Sequence, residues 1–230
     1  AISKRLEKVP EPLKLILIDI LATRKDKIAC GPLLKVLENS SSTRIQLACI
    51  NALSLVGTAS AVPLLLRFLD QEDELGKASL AALSSLRAPG VDEILSKVVL
   101  EEKGRAKAKL LKVVVLRKGR GAIPIILEAT RDEDGKVRQT AYEALCSVAR
   151  AEDLKEIVQL FLKNKKDRRE ILSVIKTVVQ RLEDKETVGD ALFEAFDSGD
   201  LEAKRQILEV FPLISTPEAL KFAEKACRSE

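Results

Sequence analysis

The sequence predicts an all-α protein, a right-handed α-solenoid of about seven helix pairs stacked in a row. Three observations predict it. Two apolar columns, each with helical spacing, recur in phase about every thirty residues. Short polar breaks fall between the columns at matching places. The apolar alphabet is Leu, Ile, Val and Ala, with aromatics only 3% of 230 residues and no Trp, which suits helices packed on helices better than sheets.

The first column has an apolar residue at position 1, small or apolar residues at 5 and 6, and more at 8, 9 and 12. The second has apolar spacing 0, 3, 4, 7, one face of a helix. Pair one runs from Leu13 through Leu17, Ile18, Ile20 and Leu21, then carries Cys30, Leu33, Leu34 and Leu37. Pair two opens behind Ser42, a capping hydroxyl, with Ile45, Cys49, Ile50, Ala52, Leu53 and Val56; its second helix has Val62, Leu65, Leu66 and Leu69. Pair three runs from Leu75 through Ser79, Leu80, Ala82, Leu83 and Leu86 to Val91, Ile94, Leu95 and Val98. Pair four runs from Ala106 through Leu110, Leu111, Val113 and Val114 to Ile123, Ile126, Leu127 and Thr130. Pair five has Val137, Ala141, Tyr142, Ala144, Leu145 and Val148, then Leu154, Ile157, Val158 and Phe161.

Pair six starts at Asp167 with Ile171, Leu172, Val174, Ile175 and Val178, then Val188, Ala191, Leu192 and Ala195. Pair seven follows a capping Asp200 with Ala203, Ile207, Leu208, Val210, Phe211 and Ile214; Thr216-Pro217-Glu218 opens its second helix, with Ala219, Phe222, Ala223 and Ala226. The first helices begin at intervals of 32, 30, 31, 31, 30 and 36 residues. No pair can bury both of its apolar faces alone, so stacking pair on pair builds one continuous core. Residues 10–230 read as one repeat domain. Residues 1–9, with the stripe Ile2, Leu6 and Val9, read as a helical cap or the tail of an earlier repeat. The final "PEALKFAEKAC" looks like an interior repeat, which suggests a piece of a longer protein or an end that pairs with something.

The residues carrying these columns resemble a known family. "VRQTAYEAL" (137–145) resembles the first helix of the HEAT-like repeats found in bilin lyases and many bacterial proteins. "ASAVPLLLRFLDQED" (59–73) and "GAIPIILEATRDED" (121–134) resemble its second helix, with Pro63 and Pro124 near the start. The resemblance covers about residues 10–228. It implies the fold and says little about activity, because one fold hosts many functions.

Little in the sequence suggests catalysis, and no cofactor is expected. There is no histidine, which removes Ser-His, Cys-His and His-metal chemistry. "GRG" at 119–121 lacks the lysine and hydroxyl of a phosphate loop. "RDEDG" at 131–135 lacks the first and last acids of a calcium loop and reads as a capped helix start. A DNA glycosylase family shares the HEAT-like fold, but its resemblance implies tryptophans that this chain does not have. Cys30, Cys49, Cys146 and Cys227 stand far apart at apolar or small helical positions and read as buried reduced thiols, which favours the cytoplasm. No apolar run is long enough to span a membrane. No signal peptide stands at the N-terminus, although the chain lacks methionine altogether, so a removed segment stays open.

What remains is binding. In the resembling family the second helices line the concave side, and two positions of each then face solvent, two and six residues along from the stripe. The apolar ones are Pro32, Val36, Leu64, Phe68, Ile125 and Leu160. They suggest a groove for a helix or extended segment of another protein, against the alternative that curvature buries them between neighbouring second helices. Charge segregates too: turns inside pairs carry cations such as Arg87, Arg117 and Arg181, and turns between pairs carry acids such as Asp73, Asp134 and Asp200. Helix dipoles explain much of that. Two stretches break the rule. Lys103, Arg105, Lys107, Lys109, Lys112, Arg117, Lys118 and Arg120 run without an acid, and Lys163, Lys165, Lys166, Arg168 and Arg169 surround Asp167. These are the candidates for an acidic partner or a nucleic-acid backbone. The basic column Lys14, Lys107, Arg138, Arg168 and Lys204 reads as exposed salt bridges to acids in the preceding turn. A non-enzymatic protein-binding scaffold is the first reading. Nucleic-acid backbone binding and a bilin-lyase-like subunit are the alternatives.

Overall fold

The computed structural model describes residues 6, 9–182, 186–214, 216–217, 221–222 and 224. Every regular element among them is helical, in agreement with the all-α class expected. In chain order these are α1 (Glu11–Thr23), α2 (Cys30–Asn39), α3 (Thr43–Val56), α4 (Val62–Leu69), α5 (Glu74–Ser85), α6 (Val91–Glu101) and α7 (Gly104–Lys118). Then come α8 (Ile123–Ala129), α9 (Gly135–Val148), α10 (Leu154–Lys163), α11 (Arg168–Arg181), α12 (Glu186–Ser198), α13 (Leu201–Leu208) and α14 (Phe211–Ile214). The chain divides into two compact units, Ala1–Ile125 and Ile126–Glu230.

Within the first unit, α1, α3, α5 and α7 pack in a row, and α2, α4 and α6 each lie on the first helix of the pair that follows. Within the second unit, α9 packs on α11, α10 on α11 and α12, and α12 on α13. The stacking inferred from the two columns is therefore built between successive pairs. Ile45, Cys49, Ile50, Leu53 and Val56 are buried on α3, and Ile171, Leu172, Val174, Ile175 and Val178 on α11.

The first helices start where expected. Ser42 accepts from the Ile45 amide, Asp73 from Leu75 and Gly76, Asp134 from Lys136 and Asp200 from Ala203. The "RDEDG" segment is indeed a capped helix start. Of the N-terminal stripe, Leu6 is buried and Val9 half-buried, while Ile2 lies outside the described residues, as does Cys227. Cys30 and Cys49 are buried free thiols, and Cys146 is half-buried.

Two elements depart from the expected register. On α1 the expected core residues Leu13 and Ile20 are 45% and 39% exposed, while Ile18, Leu21 and Ala22 are buried. This helix is apolar on two opposite sides, and its described packing, on α3, covers one of them. The seventh first helix is broken into α13 and α14. Pro212 has no N–H to give the Leu208 carbonyl and its ring crowds that carbonyl, so α13 stops at Leu208 and two short turns, Val210 to Ile207 and Leu213 to Val210, carry the chain on. The aromatic-poor core expected also has a local exception. Phe193, Phe196, Phe211 and Phe222 gather in the second unit, with ring centroids 4.5 to 5.5 Å apart.

The helix ends set the turns. The last carbonyls of a helix have no intrahelical donor, and here long polar side chains reach them or the carbonyls of the turn just beyond. Between pairs, Gln46 donates to the Ser40 carbonyl at 2.7 Å, Arg138 to Asp132 and Glu133 at 2.9 Å each, and Arg168 to Phe161 and Leu162. Within pairs, Arg117 donates to Leu83 and Leu86 at 2.6 and 2.7 Å, and Arg181 to Ser147 and Ala149. Arg138 and Arg168 correct the reading of the basic column as exposed bridges. Both are buried, the preceding turn offers them carbonyls, and the acids they pair with, Asp167 and Asp200, lie in the following turn.

At the equivalent place on α5 stands Gly76. A Cβ there would sit 2.0 Å from the Gln71 carbonyl oxygen, so the turn closes directly on the helix. The freed carbonyls of Leu69 and Gln71 are instead capped by Lys109 from α7, at 2.6 and 3.0 Å. Gly76→Ala is therefore expected to destabilise the protein by about 1–3 kcal/mol, against the usual helical gain. Gly31→Ala on α2, where an added Cβ meets nothing, is expected to stabilise it by about 0.5–1 kcal/mol. Urea midpoints of the two variants against the parent check both signs.

Candidate partner-binding cleft

The site is built on α10. Leu154, Ile157, Val158 and Phe161 form its buried stripe, which leaves Glu156, Gln159, Leu160 and Lys163 on the outer side. Those residues, with Leu127 on α8, Thr130 and Arg131 after it, and Asn164, Lys165 and Lys166 beyond α10, line a cleft of about 470 Å³. Its apolar lining is Leu127 and Leu160. Arg131, Lys163, Lys165 and Lys166 face one acid, Glu156.

The turn that forms one wall is held by a polar hub. Asp167 accepts from Arg138 Nε at 2.5 Å and from the Tyr142 hydroxyl at 3.0 Å. Asn164 donates to the Tyr142 oxygen at 3.2 Å and accepts from the Asp167 amide at 3.1 Å. Burial pushes the Asp167 carboxyl up, but the bonds from Arg138, Tyr142 and Asn164 and the Arg138 charge outweigh it, so its pKa lies below the ordinary value. Burial, then the bond to Asp167, raises the Tyr142 phenol. On the far side of the turn, Arg168 stacks over the Phe161 ring at 5.5 Å and pairs with Asp200 at 2.8 Å. The Arg168 bond, the Ala203 amide and Lys165 hold the Asp200 carboxyl well below its usual range.

These geometries sort the residues expected from sequence. Pro32, Leu64, Ile125 and Leu160 are half-buried, but Val36 and Phe68 are buried at 4% and 9% exposure. At 100° per residue, the position two along lies about 150° from the buried stripe and the position six along only about 110°. Of the apolar side chains on that nearer flank, Val36, Phe68 and Ala129 are buried, and Leu160 stays half-buried.

Among the cations, Arg117 has a side chain only 2% exposed and pairs with Asp92, Arg168 is buried, and Lys109 is committed to its two carbonyls. These three are removed as contacts for a phosphate or acidic partner. Arg105 pairs with Glu72, and Lys165 with Asp200 at 3.0 Å. Lys107, Lys118 and Arg120 are half-buried. Lys103, Lys112, Lys163, Lys166 and Arg169 remain exposed. The structure thus brings together Leu160 from the apolar set and Lys163, Lys165 and Lys166 from the basic set. Leu127, Thr130, Arg131, Gln159 and Asn164 were not foreseen at the site. The one available signal was that Leu160 and Lys163, three apart on a helix, are surface neighbours.

Residues 2–87 match the sequence profile of HEAT repeats. Among solved structures the chain is similar to one in the complex of CpcE and CpcF of phycocyanin lyase from Nostoc sp. PCC7120. That match has 18% identity, covers 93% of this chain and 92% of that one, and has a TM-score of 0.42. It is also similar to an engineered protein, at 17% identity over 93% of this chain and 94% of that one, with a TM-score of 0.31. No curated protein matches the sequence. Among the described residues, no helix is long and apolar enough to cross a membrane.

The hub beneath the cleft has a pH signature. Asp167 and Asp200 both titrate lower in the folded protein than in the unfolded chain, so their contribution to stability is complete above about pH 4 and is lost as pH falls through the folded-state values. The Asp167→Asn/Asp200→Asn variant is expected to be less stable than the parent at pH 7, with the gap narrowing progressively as pH falls below about 4, in urea titrations across that range. Parallel curves would show that the two carboxylates contribute nothing differential.

Proposed function

We propose that this chain is a non-enzymatic repeat module that binds another protein, with the α10 cleft as a principal contact. The observation that carries the reading is the cleft itself: a concave, partly apolar surface beside the exposed, unpaired cations Lys163 and Lys166, set on a turn fixed by buried hydrogen bonds. Concavity, an apolar anchor point and a polar rim are what protein segments dock into. The thiols point the same way. Burial pushes the Cys49 thiol up to about 12, and burial also raises Cys146, so neither is a ready thiolate nucleophile.

Nucleic-acid binding has less support. Of the eight cations in 103–120, Arg105, Lys109 and Arg117 are held by acids or carbonyls within the fold. A bilin-lyase-like subunit would share the same first step, docking on a partner protein.

A photocrosslinking residue replacing Glu156, on the cleft, is compared in native-host lysate with one replacing Glu143, an exposed residue on α9. Discrete protein adducts from position 156 and none from 143 are expected. Nuclease-sensitive adducts at 156, or equal labelling from both positions, would contradict the reading.

A further inference from the structure

We infer, resting on that protein-binding reading, that the α10 cleft takes an acidic segment of its partner, one that places an apolar side chain against Leu127 and Leu160 and carboxylates against Lys163 and Lys166. Charge complementarity selects the class. The lining holds four cations against one carboxylate. Two of the four are already engaged, Arg131 with Glu128 at 3.4 Å and Lys165 with Asp200 at 3.0 Å. Lys163 and Lys166 are exposed, and no acid among the described residues pairs with either. A partner carboxylate gives each the ion pair it lacks, and the salt-sensitive steering that goes with it.

The same lining argues against a phosphate backbone. It contains no aromatic side chain, so bases have nothing to stack on. Its free cations cluster at one end of a short helix instead of tracking along a groove. Glu156 projects from the same wall, where it would repel successive phosphates. A carboxylate-bearing helix can turn its charges away from Glu156 and its apolar face towards Leu160, because the two needs fall on different sides of one helix. The cleft's volume, about 470 Å³, accommodates one or two such side chains and not a whole helix, so the rest of the segment would lie across the rim.

The test uses the full chain and a fluorescein-labelled helical peptide of about fourteen residues, built from Glu with Leu at helical spacing. Fluorescence anisotropy reads its binding. The Lys163→Glu/Lys166→Glu variant is expected to weaken binding about tenfold or more, and Glu156→Lys to strengthen it. Raising salt from about 0.05 M to about 0.5 M is expected to weaken it as well. A peptide with Ser in place of Leu is expected to lose most of its affinity. All three positions are exposed, and circular dichroism confirms that the variants keep the parent's helix content.

No binding of the Glu/Leu peptide, or binding indifferent to both charge changes, overturns the inference. So does displacement of the peptide by single-stranded oligothymidine acting through the same lysines. If the position-156 crosslinks to protein persist while the peptide ignores Lys163 and Lys166, this inference fails and the protein-binding reading stands. If those crosslinks are also missing, both fail.

Discussion

The structure depends on how the open ends of short helices are closed. A stack of helix pairs multiplies helix ends, and each C-terminal end leaves carbonyls that water or another donor must satisfy. Along this chain the donor is a long polar side chain from a neighbouring helix: Gln46, Lys109, Arg117, Arg138, Arg168 and Arg181 each reach such carbonyls. Arg138 and Arg168 do more, because each also pairs with an aspartate of the next turn, Asp167 and Asp200. One guanidinium thus joins two successive turns. The spacing of pairs is set by those bonds as much as by apolar contact. Buried arginines of this kind are intolerant of losing a partner, since the remaining charge is left desolvated.

That constraint decides which charges are available for anything else. A basic sequence suggests a basic surface, but Arg117 and Arg168 are interior clamps and Lys109 caps a turn. Once they are set aside, the exposed positive charge around the second unit's cleft comes down to Lys163 and Lys166, with Arg131 and Lys165 partly neutralised. Site and scaffold share the same turn. Asn164 lines the cleft and also bonds Tyr142 and the Asp167 amide, so the rim is positioned by the clamp beneath it.

Much of the fold was legible because apolar periodicity is a property of the backbone helix and survives without knowledge of neighbours. Ile171, Leu172 and Val174 had to be core wherever α11 lay. Aspartates such as Asp134 and Asp200 had to cap. What could not be read was anything set by which helix comes next. Val36 and Phe68 sit on a flank that only a neighbouring helix can cover, and they are covered. Leu13 and Ile20 match the column yet lie on the open side of α1. Pro212 was visible, but its effect, the break after Leu208, was masked by a column that continues through it. The cleft was half legible: Leu160 and Lys163 were both singled out, as members of separate patterns that the α10 surface joins.

Hydrogen exchange on the Arg168→Met variant reads whether one guanidinium holds two successive turns. Removing that guanidinium should speed exchange at the amides of Asn164, Ile171, Ala203 and Lys204, which bond to groups in those two turns or at the end of α10, and leave α3 and α5 as protected as in the parent. Unchanged protection at those four amides, or an equal loss throughout both units, would contradict the account in which side-chain clamps hold successive turns together.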